Sequence, residues 1–239
     1  MSVLAPAHAI SDEQPKPDSL PSAGKGGTVI VLDGVSWATY HQLAHEIGDR
    51  RTVRLTYDRG RLELMSPLPE HEAYSVQLGQ FVRVLAVACK KPFKCLGAMT
   101  IRREDLARGL EPDNCFYLAN WPRIRGRKTL DFTKDPPPDL GLEIDVTNLS
   151  LDRLPIYAAL RVPEVWRFTG RHLPCYRLNA DGTYTQVEVS PTFPFLRLAD
   201  VTPFLLKVFD VDETALTESF REWLRGVLPP ESSGASEPG

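Results

Sequence analysis

Apolar and polar positions alternate along residues 139–146, "DLGLEIDV": Leu140, Leu142, Ile144 and Val146 fall on one face, Asp139, Gly141, Glu143 and Asp145 on the other. A period of two predicts a β-strand with one apolar and one polar face. The same signal predicts an opening strand in "TVIVLDG" and two strands in "TVRLTYDRGRLELMSP", joined by a tight turn at Asp58-Arg59-Gly60. Further strands are expected near 97–102, 112–119, 163–169, 172–178 and 183–189. Helical spacing takes over in "WATYHQLAHEIG" and at about 70–90, where Tyr74, Leu78, Phe81, Leu85 and Ala88 form one stripe and Glu70 and Glu72 suit the first turn. A short helix fits 152–161, and helical segments follow Thr202. Trp166, Phe168 and Tyr176 are expected to pack at the sheet edge, and Asp181-Gly182 suits a hairpin turn. Strands interleaved with helices predict an α/β fold, a mixed central sheet flanked by helices.

Composition bounds this picture. A chain of 239 residues, 42% hydrophobic and 25% charged, is an ordinary globular sequence, and no internal repeat or central linker divides it. Residues 1–26 and 229–239 are rich in Pro, Ser, Ala and Gly and are expected to be disordered tails around one domain at 27–228. The net charge of −3 excludes a broadly basic nucleic-acid binder but not a local basic groove. The four cysteines, Cys89, Cys95, Cys115 and Cys175, lack C-x-x-C spacing, which favours reduced thiols over disulfides or a zinc site. The best apolar run, "FVRVLAVAC", is too short to span a membrane and contains Arg83, and the N-terminus carries no basic leader. The expected compartment is the cytoplasm.

The acidic residues raise the functional question. Asp is a poor strand former and like charges on one strand face repel, yet a wet sheet face would tolerate both. Asp113 follows Pro112 in "LEPDNCFYLA", at the mouth of an apolar strand, and Glu143 and Asp145 come thirty residues later. If the two strands are neighbours, these carboxylates converge. Converging carboxylates need a cation between them, and an all-oxygen set favours Mg²⁺, with Mn²⁺ as a substitute. Such an ion serves phosphodiester hydrolysis by activating water and neutralising charge.

The succession "GRLELMSPLPEHE", "EPDNCFYL" and "PPDLGLEIDVTNLSLDRLPIYAALRVPEVWRF" resembles the Uma-type family of putative restriction endonucleases (DUF820-like), a branch of the PD-(D/E)xK nuclease superfamily. The resemblance runs over about 28–209 and is strongest at 139–168. It implies the restriction-endonuclease core, cleavage of DNA with Mg²⁺, and a homodimer that cuts both strands. It also implies roles: Asp113 as the Asp of the Pro-Asp motif, Glu143 as the acid of (D/E)xK, and Glu63 as an acidic position near the start of the pattern. His71 matches a histidine at the helix start and Tyr157 the tyrosine of the following helix, both standing behind the metal ligands. The motif lysine is missing, because position 145 holds Asp145. Arg153, in the next helix, is the substitute cation, able to clamp a phosphate but not to act readily as a general base.

Several assignments keep two readings. Glu63 is a ligand or forms a surface ion pair with Arg61, and Asp145 binds metal or merely fills the vacant lysine position. Asp139, after "DPPP", is better read as a loop or strand cap than as a ligand. Arg123, Arg125, Arg127 and Lys128 grip phosphates or form a solvated loop. His41 and His45, at i and i+4, have zinc spacing but no further ligands nearby, so an exposed helix face suits them better. The rival to an endonuclease is a degenerate nuclease-fold module that binds nucleic acid or regulates without cutting.

Overall fold

A computed structural model describes residues 28–48, 53–146 and 151–230. The tail at 1–26 and most of that at 229–239 lie outside the described residues. In chain order the elements are β1 (Val29–Leu32), α1 (Trp37–Ile47), β2 (Arg54–Asp58), β3 (Arg61–Met65), α2 (Pro69–Ala88), β4 (Lys94–Cys95) and β5 (Ile101–Arg103). After a single 3-10 turn come β6 (Arg108–Leu110), β7 (Asn114–Tyr117), α3 (Trp121–Ile124), β8 (Leu140–Ile144) and α4 (Leu154–Ala159). The chain continues through β9 (Glu164–Phe168), β10 (Cys175–Leu178), β11 (Tyr184–Val187), α5 (Leu198–Leu205) and α6 (Glu213–Val227).

Local chemistry explains several of these boundaries. Ser36 caps α1 by accepting from Thr39 N at 3.1 Å, and Asp212 caps α6 by accepting from Ala215 N at 3.0 Å. Pro69 opens α2, with Glu70 and Glu72 in the first turn facing the positive end of the helix dipole. Between β2 and β3, Arg59 and Gly60 both have positive φ, 47° and 98°, as a two-residue hairpin turn requires.

The α/β class is as the periodicity predicts, but the strands form two sheets rather than one central sheet. The first, ordered β1-β3-β2-β6-β5, is antiparallel throughout; the second is ordered β11-β10-β9-β8-β7-β4. The split arises because β5 and β6 form their own hairpin and dock on β2, where Tyr57 pairs with Gly109. In the second sheet only β8 and β9 run parallel, with α4 in the crossover between them.

The middle of the second sheet, β7 to β9, is buried on both sides. Leu78, Phe81 and Leu85 of α2 pack with Leu140, Leu142, Ile144, Trp166 and Phe168, and the rings of Phe81 and Phe220 stack at 4.2 Å. Each such fully buried side chain contributes about 1.5–3 kcal/mol. On the opposite face Ile156 and Tyr157 of α4 join Ile101, Leu110 and Val165. All five residues of β8 are therefore buried, and its polar face is not wet. Trp166 and Phe168 are fully buried inside the sheet, not at its edge, because β9 lies between β8 and β10; only Tyr176 is half-buried. The apolar stripe of α2 ends before Ala88, which is exposed.

Candidate active site

β7 and β8 are neighbours, with Asn114 paired to Leu142 and Cys115 to Gly141. Asp113, one residue ahead of β7, extends the ladder through its amide, which donates to Leu142 O at 3.1 Å. Its side chain reaches across to β8, where Oδ2 accepts from Ile144 N at 2.5 Å. That contact brings the Asp113 carboxylate beside Glu143. Both side chains are buried, Asp113 completely and Glu143 to 3% exposure.

Two arginines neutralise them. The Arg54 guanidinium, from β2 in the other sheet, pairs with Asp113 Oδ1 and also meets Glu72 Oε1 at 2.5 Å. Arg153, at the N-cap of α4, donates to Glu143 Oε2 at 2.7 Å and lies 3.4 Å from Glu63 Oε1. Glu63 Oε2 also accepts from Leu151 N at 3.1 Å, and the Tyr157 hydroxyl donates to Glu143 Oε1. Thus Glu63 pairs with Arg153, and Arg61 instead lies 3.7 Å from Asp33.

Burial lowers the Arg54 pKa, against the pull of Glu72 and Glu143. For Arg153 burial acts downward too, but Glu143 and Glu63 reverse it and the net shift is upward. Tyr157 is pushed well up by burial and then by the Glu143 carboxylate, so its hydroxyl stays a donor. His71, in the first turn of α2, is buried with Nε2 3.2 Å from Asp113 Oδ2. Burial, then Arg54 and Arg153, push its pKa down to about 3, which leaves the imidazole neutral near pH 7.

The polar face of β8 now has an occupant at each position. Glu143 enters this buried group, and Gly141 makes room for the Tyr157 ring. Asp139 accepts from Leu118 N at 2.6 Å and from Asn120 N and Nδ2 at 2.9 Å each, the strand-cap role. Asp145 turns to the next strand and is held by Arg167, whose Nε lies 3.0 Å from Oδ2.

The basic stretch divides. Arg127 and Lys128 line one cleft, while Arg123 lies elsewhere, 3.4 Å from Asn120 Oδ1, and Arg125 is exposed at the end of α3. His41 and His45 are exposed on α1.

The sequence alone did not point to Arg54 or Arg167, and it placed Glu72 only in the first turn of α2. A signal for Arg54 did exist: Arg54 and Thr56 share a strand face that pairs, through Thr56 opposite Glu63, with the polar face of β3. A hairpin face that is both polar and buried must point at partners.

The Uma2 family model, described as a putative restriction endonuclease, matches residues 37–212. No curated protein matches the chain. Among solved structures, the 1.96 Å crystal structure of a putative nuclease belonging to DUF820 from Anabaena variabilis ATCC 29413 aligns with a TM-score of 0.42 and 15% identity, over 64% of this chain and 90% of that one. No helix among the described residues is long and apolar enough to cross a membrane.

Proposed function

The chain belongs to the Uma2 family of putative restriction endonucleases, and on that premise we propose that it is a Mg²⁺-dependent endodeoxyribonuclease, with Mn²⁺ as a substitute ion. The supporting observation is the meeting of Asp113 and Glu143, from adjacent strands, in one buried group with Arg54, Arg153 and His71.

The donor set fits a hard cation. Among the described residues no three His, Cys, Asp or Glu side chains form a ready metal cage. Mg²⁺ does not need one, because one or two carboxylates hold it while phosphate and water complete its coordination. Asp113 and Glu143 would hold the ion, which when bound supplies charge neutralisation at the scissile phosphate.

The chain's own residues do the rest. Tyr157 holds one Glu143 oxygen, which fixes the direction of the other. Glu63 keeps a second carboxylate on Arg153, so the guanidinium stays at the site when Glu143 turns to another partner. Arg153 then faces the phosphate as a permanent charge. Asp145 and Arg167 neutralise each other beside the site, and Asp145 becomes a ligand only by releasing that arginine.

Calorimetric titration of Mg²⁺ and Mn²⁺, run beside nicking of supercoiled DNA, tests the assignment. The parent should bind and cleave, and Asp113→Asn and Glu143→Gln should each lose both. Variants that bind the ions like the parent would show the site misplaced. A parent that binds ion and DNA without cleaving would be the degenerate module, a reading favoured by Asp145 at the motif-lysine position.

A further inference from the structure

The hollow beside Asp113 does not end there. A cleft of about 570 Å³, opening on Arg54, Glu72 and Asp113, shares Ala98 and Glu111 with a larger one of about 810 Å³. The two adjoin there, and taken together as one channel they run from Asp113 past β5 to α3 and the loop after it. Its far part carries Lys94, Arg102, Arg127 and Lys128, all exposed. Arg127 is tied to Asp135 at 2.9 Å, while Lys94, Arg102 and Lys128 form no ion pair among the described residues. Between these cations lie Met99, Trp121 and Phe132, each half-buried.

We propose that this channel is the track of an unpaired nucleic-acid strand leading to Asp113, the cross-strand neighbour of Glu143. The inference rests on the nuclease reading and narrows its substrate. In a chain of net charge −3, three cations without an ion pair along one channel, beside the paired Arg127, mark a local field of the opposite sign. Cations alone would suit any phosphate backbone. The apolar floor is what selects, because unpaired bases stack on aromatic side chains, whereas a duplex keeps its base faces inside and would leave Trp121 and Phe132 uncovered. The burial of the Asp113 side chain agrees: a flexible strand can bend a phosphate down to a recessed carboxylate more readily than a stiff duplex. At the junction Glu111 accepts from Thr100 Oγ1 at 3.0 Å, and its charge favours a base edge over a phosphate at that point.

The test is fluorescence anisotropy in chelator, where no metal-dependent cleavage occurs, with labelled oligothymidine and its duplex with oligodeoxyadenosine. The parent should bind the single strand at least about tenfold more tightly than the duplex, and Arg102→Glu combined with Lys128→Glu should weaken it by about tenfold or more with a flatter salt dependence. Trp121→Ala should lose affinity with little change in the salt slope, since it removes stacking and no charge. Both charge-reversed positions are exposed, so unchanged thermal melting serves as the folding control. Equal affinity for duplex, or parental affinity in the charge-reversed variant, would overturn the track. The two readings fail separately. Single-strand binding that survives in a protein without metal-dependent cleavage sinks only the catalytic assignment. Cleavage of single strands at parental KM by the charge-reversed variant sinks only the track.

Discussion

Tyr157 lies so close over Gly141 that a Cβ on the glycine would stand 2.9 Å from the ring's Cε1, while the hydroxyl beyond donates to Glu143. Gly141 and Glu143 share one face of β8, so the missing side chain is what lets the ring reach the carboxylate.

Gly141→Ala should therefore displace Tyr157 and cost about 1–3 kcal/mol, as overpacking of a buried contact does. Thermal melting should fall by about 2–4 °C per kcal/mol. DNA cleavage should fall as well at temperatures where the variant is fully folded, because Glu143 loses its orienting donor. A variant with parental melting and parental rate would show that the ring moves aside freely.

Arg54 is the buried partner of Asp113, and removing one member of such a pair strands the other. Arg54→Met should destabilise the metal-free protein by about 3–5 kcal/mol, measured by urea unfolding. Arg54→Met combined with Asp113→Asn should be less destabilised than the sum of the single changes. Additive effects would mean that the two charges do not depend on each other.

Arg153→Ala should reduce turnover by about 10²-fold or more, the usual loss for one charged transition-state contact. Arg153→Lys should recover part of the rate, and in Arg153→Ala metal affinity should not fall, because Arg is no ligand and its loss frees Glu143 Oε2. Restoring the motif with Asp145→Lys should not help. That lysine would face Arg167, which Asp145 now neutralises, so both stability and rate should drop. A faster Asp145→Lys enzyme would show that Arg167 swings clear.

The thiols offer a check on packing. Burial pushes the Cys115 pKa up to about 12, and burial with Glu164 pushes Cys175 up further. A raised pKa leaves the thiol protonated at pH 8, and only the thiolate is alkylated readily. In native protein iodoacetamide should therefore modify the part-exposed Cys89 and Cys95 ahead of the other two. Cys115 and Cys175 should react only after unfolding, as read by peptide mass spectrometry.

The sequence by itself determined the local order. Period-two and helical spacing located β8, α2 and the hairpin at Asp58-Arg59-Gly60, because pleat, helical turn and positive φ are set by near neighbours along the chain. It also singled out Asp113 and Glu143 as residues of interest, since a carboxylate on an apolar strand is locally out of place. What it could not show was which faces are covered and by what. The polar face of β8 is wet or covered on equal terms until α4 is laid over it, and Trp166 reads as an edge residue until β10 pairs beyond β9. The arginine partners depend on that same assembly. Arg54 comes from the other sheet, Arg153 from the crossover, and Arg167 from the strand parallel to Asp145. Charge pairing acts over a few ångströms of space regardless of separation along the chain, so only the tertiary fold decided which cation faces which carboxylate.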